Sequence, residues 1–279
     1  MNNYTTHIKS KNGLLEIDIK ELFRYKDLVF LFFKRNYSTR YKQTILGPLW
    51  LVLNPLITVL LYAFVFGRIA GLSTEGVPHL LFYLCSNSIW AFFATCITET
   101  ANTFTANSAI MGKVYFPRLV MPVSSVLTGM LDLAIQIGML LIAIIIYIIY
   151  GTSINIGISI LLAPVLILQV AMLGLGCGII VAALTTKYRD LIILVGFGVQ
   201  LWMYASPVVY SSALIPEEYH TLYFVNPMAS ILTCWRSVVL GVEEIPWGSW
   251  GISWISTILL LVIGVLLFNK VEKIFMDTV

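Results

Sequence analysis

Ser125, Gly129, Asp132 and Gln136 follow one another at intervals of 4, 3 and 4 residues within a long apolar stretch. On a helix that spacing gathers them on one face. An ionisable group surrounded by apolar sequence is costly to expose to lipid, so this face must turn toward protein or water. Two readings stay open: a packing seam glued by hydrogen bonds, or the lining of a translocation path. Glu99 stands among Thr98, Thr100, Asn102 and Thr103 at the end of another apolar run, which places it at a membrane boundary. No catalytic constellation accompanies these residues. HExxH and GxSxG are missing, and no Cys-His pair falls in a plausible shared site. "NSAIMGK" fails as a Walker A motif, with Asn107 where the first Gly belongs and Val114 where Ser or Thr belongs. The chain is therefore expected to be no enzyme, to bind no ATP by that route and to hold no metal. Cys85, Cys96, Cys177 and Cys234 all lie in apolar stretches without a CxxC and read as buried small residues.

The elements that carry these residues follow from composition. Of 279 residues, 59% are hydrophobic and 11% charged, where a soluble domain has roughly 25% charged. With a mean hydropathy of +0.90, most of this chain must have lipid as its solvent. A net charge of +3 is too small to suggest a nucleic-acid partner. The first twenty residues lack the apolar core of a cleavable signal peptide.

Apolar runs near 49–67, 80–98, 127–149, 156–184, 191–209 and 250–268 predict six transmembrane helices. "ASILTCWRSVVLG" at 229–241 is too short to span and reads as a re-entrant or interfacial helix before the last span. Fifteen of the 17 Lys and Arg precede the first span or fall after spans two, four and six. The opposite loops hold only Arg68 and Arg236, together with Glu217, Glu218, Glu243 and Glu244. The positive-inside rule then puts both termini in the cytoplasm. Trp247, Trp250, Trp254, Tyr147 and Tyr150 read as headgroup-level anchors at the outer ends of spans six and three.

Before the first span, "KELFRYKDLVFLFFKRNY" at 20–37 places six apolar residues between basic flanks, too few to span, and predicts an amphipathic helix in the cytoplasmic interface. Its cations suit anionic membrane lipids. A corner follows. Gly47 permits the backbone turn, Pro48 fits a first helical turn, Trp50 marks the membrane boundary, and Pro55 removes a hydrogen bond just inside.

"RYKQTILGPLWLVLNPL" (40–56), "KVYFPRLVMPVSSVLTGMLD" (113–132), "KYRDL" (187–191), "SPVVYSSALIP" (206–216) and "NPMASILTCWRSVVLG" (226–241) together resemble ABC-2 type permeases, in the branch that exports O-antigen, capsule or teichoic acid. The resemblance runs from residue 20 to 270. It implies a single transmembrane domain over 1–279, with an interfacial helix at 20–37, a cytoplasmic coupling segment at 107–118 and an outer gate region at 211–242. It implies a homodimer in the inner membrane of a bacterium, paired with a separate nucleotide-binding ATPase that carries the ATP and Mg; this chain would hold no cofactor. The cargo would be a polysaccharide on a polyprenyl diphosphate lipid, O-antigen first among them.

Lys113, Tyr115, Phe116, Pro117 and Arg118 would then face the ATPase, with a solvated loop as the plainer alternative. Sugar rings pack their C–H faces on aromatics, so the path would draw on Trp50, Tyr62, Phe66, Trp202, Tyr204, Tyr210, Tyr219, Tyr223 and Trp235, with Asp132. Arg236 would meet either the lipid diphosphate or Glu243 and Glu244. Two other functions compete: an ABC-2 permease for a drug or small lipid, and an ion-coupled secondary transporter using Asp132 and Glu99. The second would need internal repeats and more mid-membrane acids than the sequence holds.

Overall fold

The computed structural model describes residues 23–42, 44–103, 106–107, 110, 116–152, 154–185 and 190–278, with side chains at 41 and 271–278 left aside. Every regular element among them is helical. The chain opens with α1 (Lys26–Tyr41), a helix of 16 residues. It ends four residues beyond the predicted interfacial segment, whose residues 20–22 lie outside the described part. The corner then forms: Gly47 takes a φ of +51°, and a 3-10 turn over Gly47–Leu49 carries Pro48 in its first positions.

That turn leads into α2 (Gly47–Ile69), which continues as an α-helix over Trp50–Tyr62 and widens into a π-helix over Ala63–Ile69. Pro55 sits inside it, and Thr58 donates its hydroxyl back to the carbonyl of Asn54 at 2.9 Å. Next come α3 (His79–Ala101), α4 (Val120–Ile149) and α5 (Ile158–Thr185, with a 3-10 first turn over Ile158–Leu162). The remainder is α6 (Leu191–Tyr204), α7 (Glu217–Tyr223), α8 (Pro227–Leu240) and α9 (Trp247–Thr278).

Five of these helices, α2, α3, α4, α5 and α9, are long and apolar enough to cross a membrane. The sequence predicts six, and the difference lies at 191–209. Helix α6 has 14 residues, about 21 Å at 1.5 Å per residue against ~30 Å of hydrocarbon. It stops ahead of Pro207 because the residue before a proline is pushed out of the helical region. Asn226 then takes up the loose end, donating to the Ala205 carbonyl at 3.1 Å and to Ser206 Oγ at 2.8 Å.

Helix α3 is the centre of the bundle, buried on nearly every side and packed against α2, α4, α5 and α8. Helix α5 sits between α3 and α9, and glycine makes both contacts possible. A Cβ on Gly174 would come within 2.5 Å of Cys96 Cβ, and one on Gly178 within 2.6 Å of Thr100 Cβ, both on α3. On the opposite face, a Cβ on Gly176 would meet the backbone of Leu261 at 2.9 Å, and one on Gly264 of α9 would meet the Gly176 carbonyl at 2.7 Å. Where lipid is no less apolar than a side chain, such close backbone approach is what joins helices.

A smaller core ties α1 to the bundle, with Val29 and Phe32 buried against Phe116, Val120 and Met121. The apolar residues of α1 point two ways, since Phe30 and Leu31 lie exposed while Val29 and Phe32 are buried. A helix with one apolar side on protein and another facing outward suits the boundary between bundle and bilayer. Rows of exposed Ile and Leu on α4 and α9, such as Ile142, Ile145, Ile255 and Leu259, supply the lipid-facing surface. Trp250 departs from the anchor reading. It is buried, and its indole N–H donates to Gln169 Oε1 at 2.7 Å, whose amide in turn donates to Ser253 Oγ at 3.0 Å. Trp247 and Tyr150 are exposed, as the anchor reading expects.

Candidate functional site

At the end of the bundle where α1 meets α2, a cleft of ≈ 470 Å³ opens between α2, α3 and α4. Trp50, Asn54 and Thr58 form one wall, spaced one helical turn apart on α2. Asn87 and Thr95 of α3 form the floor, and Asp132 and Gln136 of α4 close the other side. Arg40, at the last turn of α1, reaches in from the rim. Its Nη1 donates to Asp132 Oδ2 at 2.6 Å and its Nη2 to Glu99 Oε1 at 2.8 Å. The Asp132 carboxylate is 14% exposed and Glu99 47%, so the first contact is largely shielded from water and the second is not. Screening discounts the outer pair far more than the inner one.

The stripe noted in the sequence divides between its two readings. Ser125 is buried, and Gly129 faces Phe92 and Thr95 of α3 at ordinary contact distance, so that half is a packing seam. Asp132 and Gln136, the other half, line the cleft. The sequence sets Arg40 in the RYK stretch before the corner and Glu99 at the membrane boundary, and joins neither to Asp132. The signal was present: an acid inside an apolar segment requires a partner, and Arg40 stands at the depth where one is needed.

At the opposite end, Arg236 of α8 is fully buried. Its Nε donates to Glu243 Oε2 at 2.9 Å and its Nη2 to Glu243 Oε1 at 3.1 Å. Its Nη1 donates to Ser86 Oγ at 3.2 Å and to the Pro207 carbonyl, and the guanidinium lies 4.8 Å over the Phe82 ring. Glu243 also accepts from Ser211 Oγ at 2.8 Å, Ser212 Oγ at 3.2 Å and the Ser212 amide at 3.3 Å. Of the two partners left open for Arg236, the structure supplies Glu243. Asn226 is a second residue the sequence did not single out. It caps α8 by accepting from the Met228 amide at 3.1 Å, accepts from the Trp202 indole at 2.9 Å and holds the end of α6.

The remaining aromatic candidates do not converge on one surface. Tyr62 donates to the Met203 sulfur at 3.4 Å and packs edge-on against Phe66 and Tyr83. Trp202 sits edge-on to Phe93, and Trp235 is buried with its indole N–H on the Cys85 carbonyl at 3.1 Å. Tyr210 donates to the Tyr204 carbonyl at 3.1 Å and accepts from Tyr223 at 3.2 Å. Burial raises the Tyr223 pKa further above its ordinary range, so that hydroxyl stays protonated. Tyr204 and Tyr219 are exposed, and Trp50 alone of the set lines the cleft. In the coupling segment, Phe116 is buried on Phe32 with ring centroids 5.7 Å apart, Arg118 is buried and Pro117 half-buried. Lys113 and Tyr115 lie outside the described residues.

The chain matches the ABC-2 type transporter family over residues 27–240. It is 28% identical over 252 residues to an O-antigen export system permease protein RfbA of Klebsiella pneumoniae, covering 90% of this chain and 94% of that protein. It is 27% identical over 223 residues to a protein of the same name from Myxococcus xanthus, covering 79% and 83%. The chain belongs to the ABC-2 type transporter family and is a multi-pass membrane permease.

Proposed function

We propose that this ABC-2 type permease is the transmembrane subunit of an ATP-driven exporter that carries a lipid-linked polysaccharide, O-antigen first among candidates, across a bacterial inner membrane. The observation that carries the reading is the extent of the likeness to permeases named for O-antigen export. It spans 90% of this chain and 94% of a relative, so it includes both ends of the bundle and not a shared core alone.

Two copies would pair with two ATPase subunits, and the geometry suggests how force would travel. Phe116 on Phe32, together with Arg35 Nη2 on Asn107, binds the coupling segment to α1, so a push on one moves the other. Helix α1 ends at Arg40, whose two carboxylate contacts lie on α3 and α4, and the hinge at Gly47 passes the motion to α2. In this reading α6 and the loop after it complete a sixth crossing, α8 is re-entrant, and both termini are cytoplasmic.

The test is reconstitution with the ATPase from the neighbouring reading frame. The pair is expected to co-purify, to hydrolyse ATP and to move lipid-linked glycan into vesicles. Deletion of the gene should strip the polysaccharide from the cell surface and leave lipid-linked glycan inside. An unchanged surface with no internal accumulation would sink the assignment.

A further inference from the structure

Two side chains that line the cleft each hold an oxygen with no hydrogen-bond donor: Asp132 Oδ1 and Gln136 Oε1. Gln136 is 94% buried by residue surface (6% exposed), and an unmet acceptor so placed costs ~1–3 kcal/mol. The two lie one turn apart on the same face of α4. They ask for a donor-bearing ligand, and the terminal amide torsion of Gln136 is broad enough to turn its oxygen into the cleft. Across from them Trp50 is 38% exposed, a ring face available for contact. The charges decide the ligand class. Among the described residues that line it, Arg40 and Asp132 carry the charges and pair with each other, which favours a neutral group over a diphosphate.

We propose that this cleft is a binding subsite for a neutral, hydroxyl-rich sugar unit, with Gln136 and Asp132 accepting from its hydroxyls and Trp50 covering one ring face. The proposal rests on the exporter reading above and deepens it, assigning the sugar end of the cargo to this pocket and excluding its diphosphate. The volume of ≈ 470 Å³ lies within the range of small-ligand sites. Sugar bound to Asp132 touches the carboxylate that holds Arg40, so occupancy is felt at the corner between α1 and α2.

The test uses the permease–ATPase complex in nanodiscs, with Ala91→Cys placed in the cleft floor and labelled by a maleimide. The probes are the cell's surface glycan freed of lipid and, separately, polyprenyl diphosphate without glycan. The free glycan is expected to slow labelling and the diphosphate lipid to leave it unchanged. Gln136→Met is expected to raise the glycan concentration needed by about three- to tenfold. Because it removes an unmet acceptor, that variant should be at least as resistant to heat as the parent, which separates binding from folding. Trp50→Leu should weaken protection as well. Protection by the diphosphate lipid, or none by glycan while the complex still transports the lipid-linked form, overturns the subsite and leaves the exporter reading standing. A complex that transports no glycan at all overturns both.

Discussion

Glu243→Met is expected to destabilise the chain more than Arg236→Met, although each removes one half of the same ion pair. Breaking a buried pair by removing one partner costs about 3–5 kcal/mol. The two survivors are not equally provided for. With Arg236 gone, Glu243 keeps three donors, from Ser211 Oγ, Ser212 Oγ and the Ser212 amide, and its side chain retains 7% exposure. The cost belongs near the lower figure, about 3 kcal/mol. With Glu243 gone, a guanidinium of 0% exposure keeps Ser86 Oγ, the Pro207 carbonyl and the Phe82 ring face, and no anion. That cost belongs near the upper figure, about 5 kcal/mol. The double variant removes both charges and should recover most of the loss. Folded fraction against SDS in mixed micelles reads all four proteins. Equal single effects, or a double effect equal to their sum, would refute the argument that survivor solvation sets the cost.

Three other outcomes follow from the geometry. Gly176→Ala should weaken the α5–α9 contact by about 1–3 kcal/mol, because its Cβ would press on helix backbone at 2.9 Å, while Gly196→Ala, with nothing within 4 Å, should be neutral or mildly stabilising; SDS resistance compares them. Arg40→Gln should lower glycan export per correctly inserted chain, and Asp132→Asn in the same chain should restore part of it, since the uncompensated carboxylate is then gone; vesicle transport assays decide, and additive losses would contradict the pairing. Gly241→Ala should loosen the end of α8, because it combines a φ of +69° with a Cβ 2.2 Å from the Asn155 carbonyl; faster proteolysis of the 241–247 loop is the readout.

The spans of α2, α3, α4, α5 and α9 were legible because length and hydropathy define a bilayer crossing, although α4 begins seven residues before the expected 127 and α9 runs ten residues past the expected 268. Residues 191–209 read as one continuous span for the same reason, whereas the helix there stops after 14 residues. Hydropathy runs on through Ser206-Pro207-Val208-Val209, and only the local geometry of Pro207 ends α6 at Tyr204. Helix α8 was recognised as too short to cross, yet its burial on all sides comes from packing against α3, α5 and α9, which no single segment records. Gly174 and Gly178 stand four residues apart as a GxxxG pair, a spacing the sequence displays, whereas Gly176 and Gly264 meet through a register between two helices. Within the cleft, Asp132 and Gln136 were visible as a face. Arg40 was not, since 92 residues separate it from Asp132. The aromatic set was the least readable, because exposure or burial of a ring depends on neighbours rather than on its own position.

The pairing of Arg40 with Asp132 also bears on how the chain is made. Synthesis delivers the cation first: Arg40 is in place at the membrane surface before α4 leaves the ribosome. An aspartate within an inserting helix costs up to about 2.5–3.5 kcal/mol on its own, the figure for the helix centre. We predict that Arg40 lowers that cost while α4 is being inserted, so chains truncated just after Tyr150 should place α4 across the membrane less often once Arg40→Gln is introduced. Glycosylation mapping of the segment after α4 would show it, and equal insertion with and without Arg40 would confine the pair to the finished protein. Glu243 follows Arg236 by only seven residues, so at the other end of the bundle the cation waits for its partner for moments instead of for two helices.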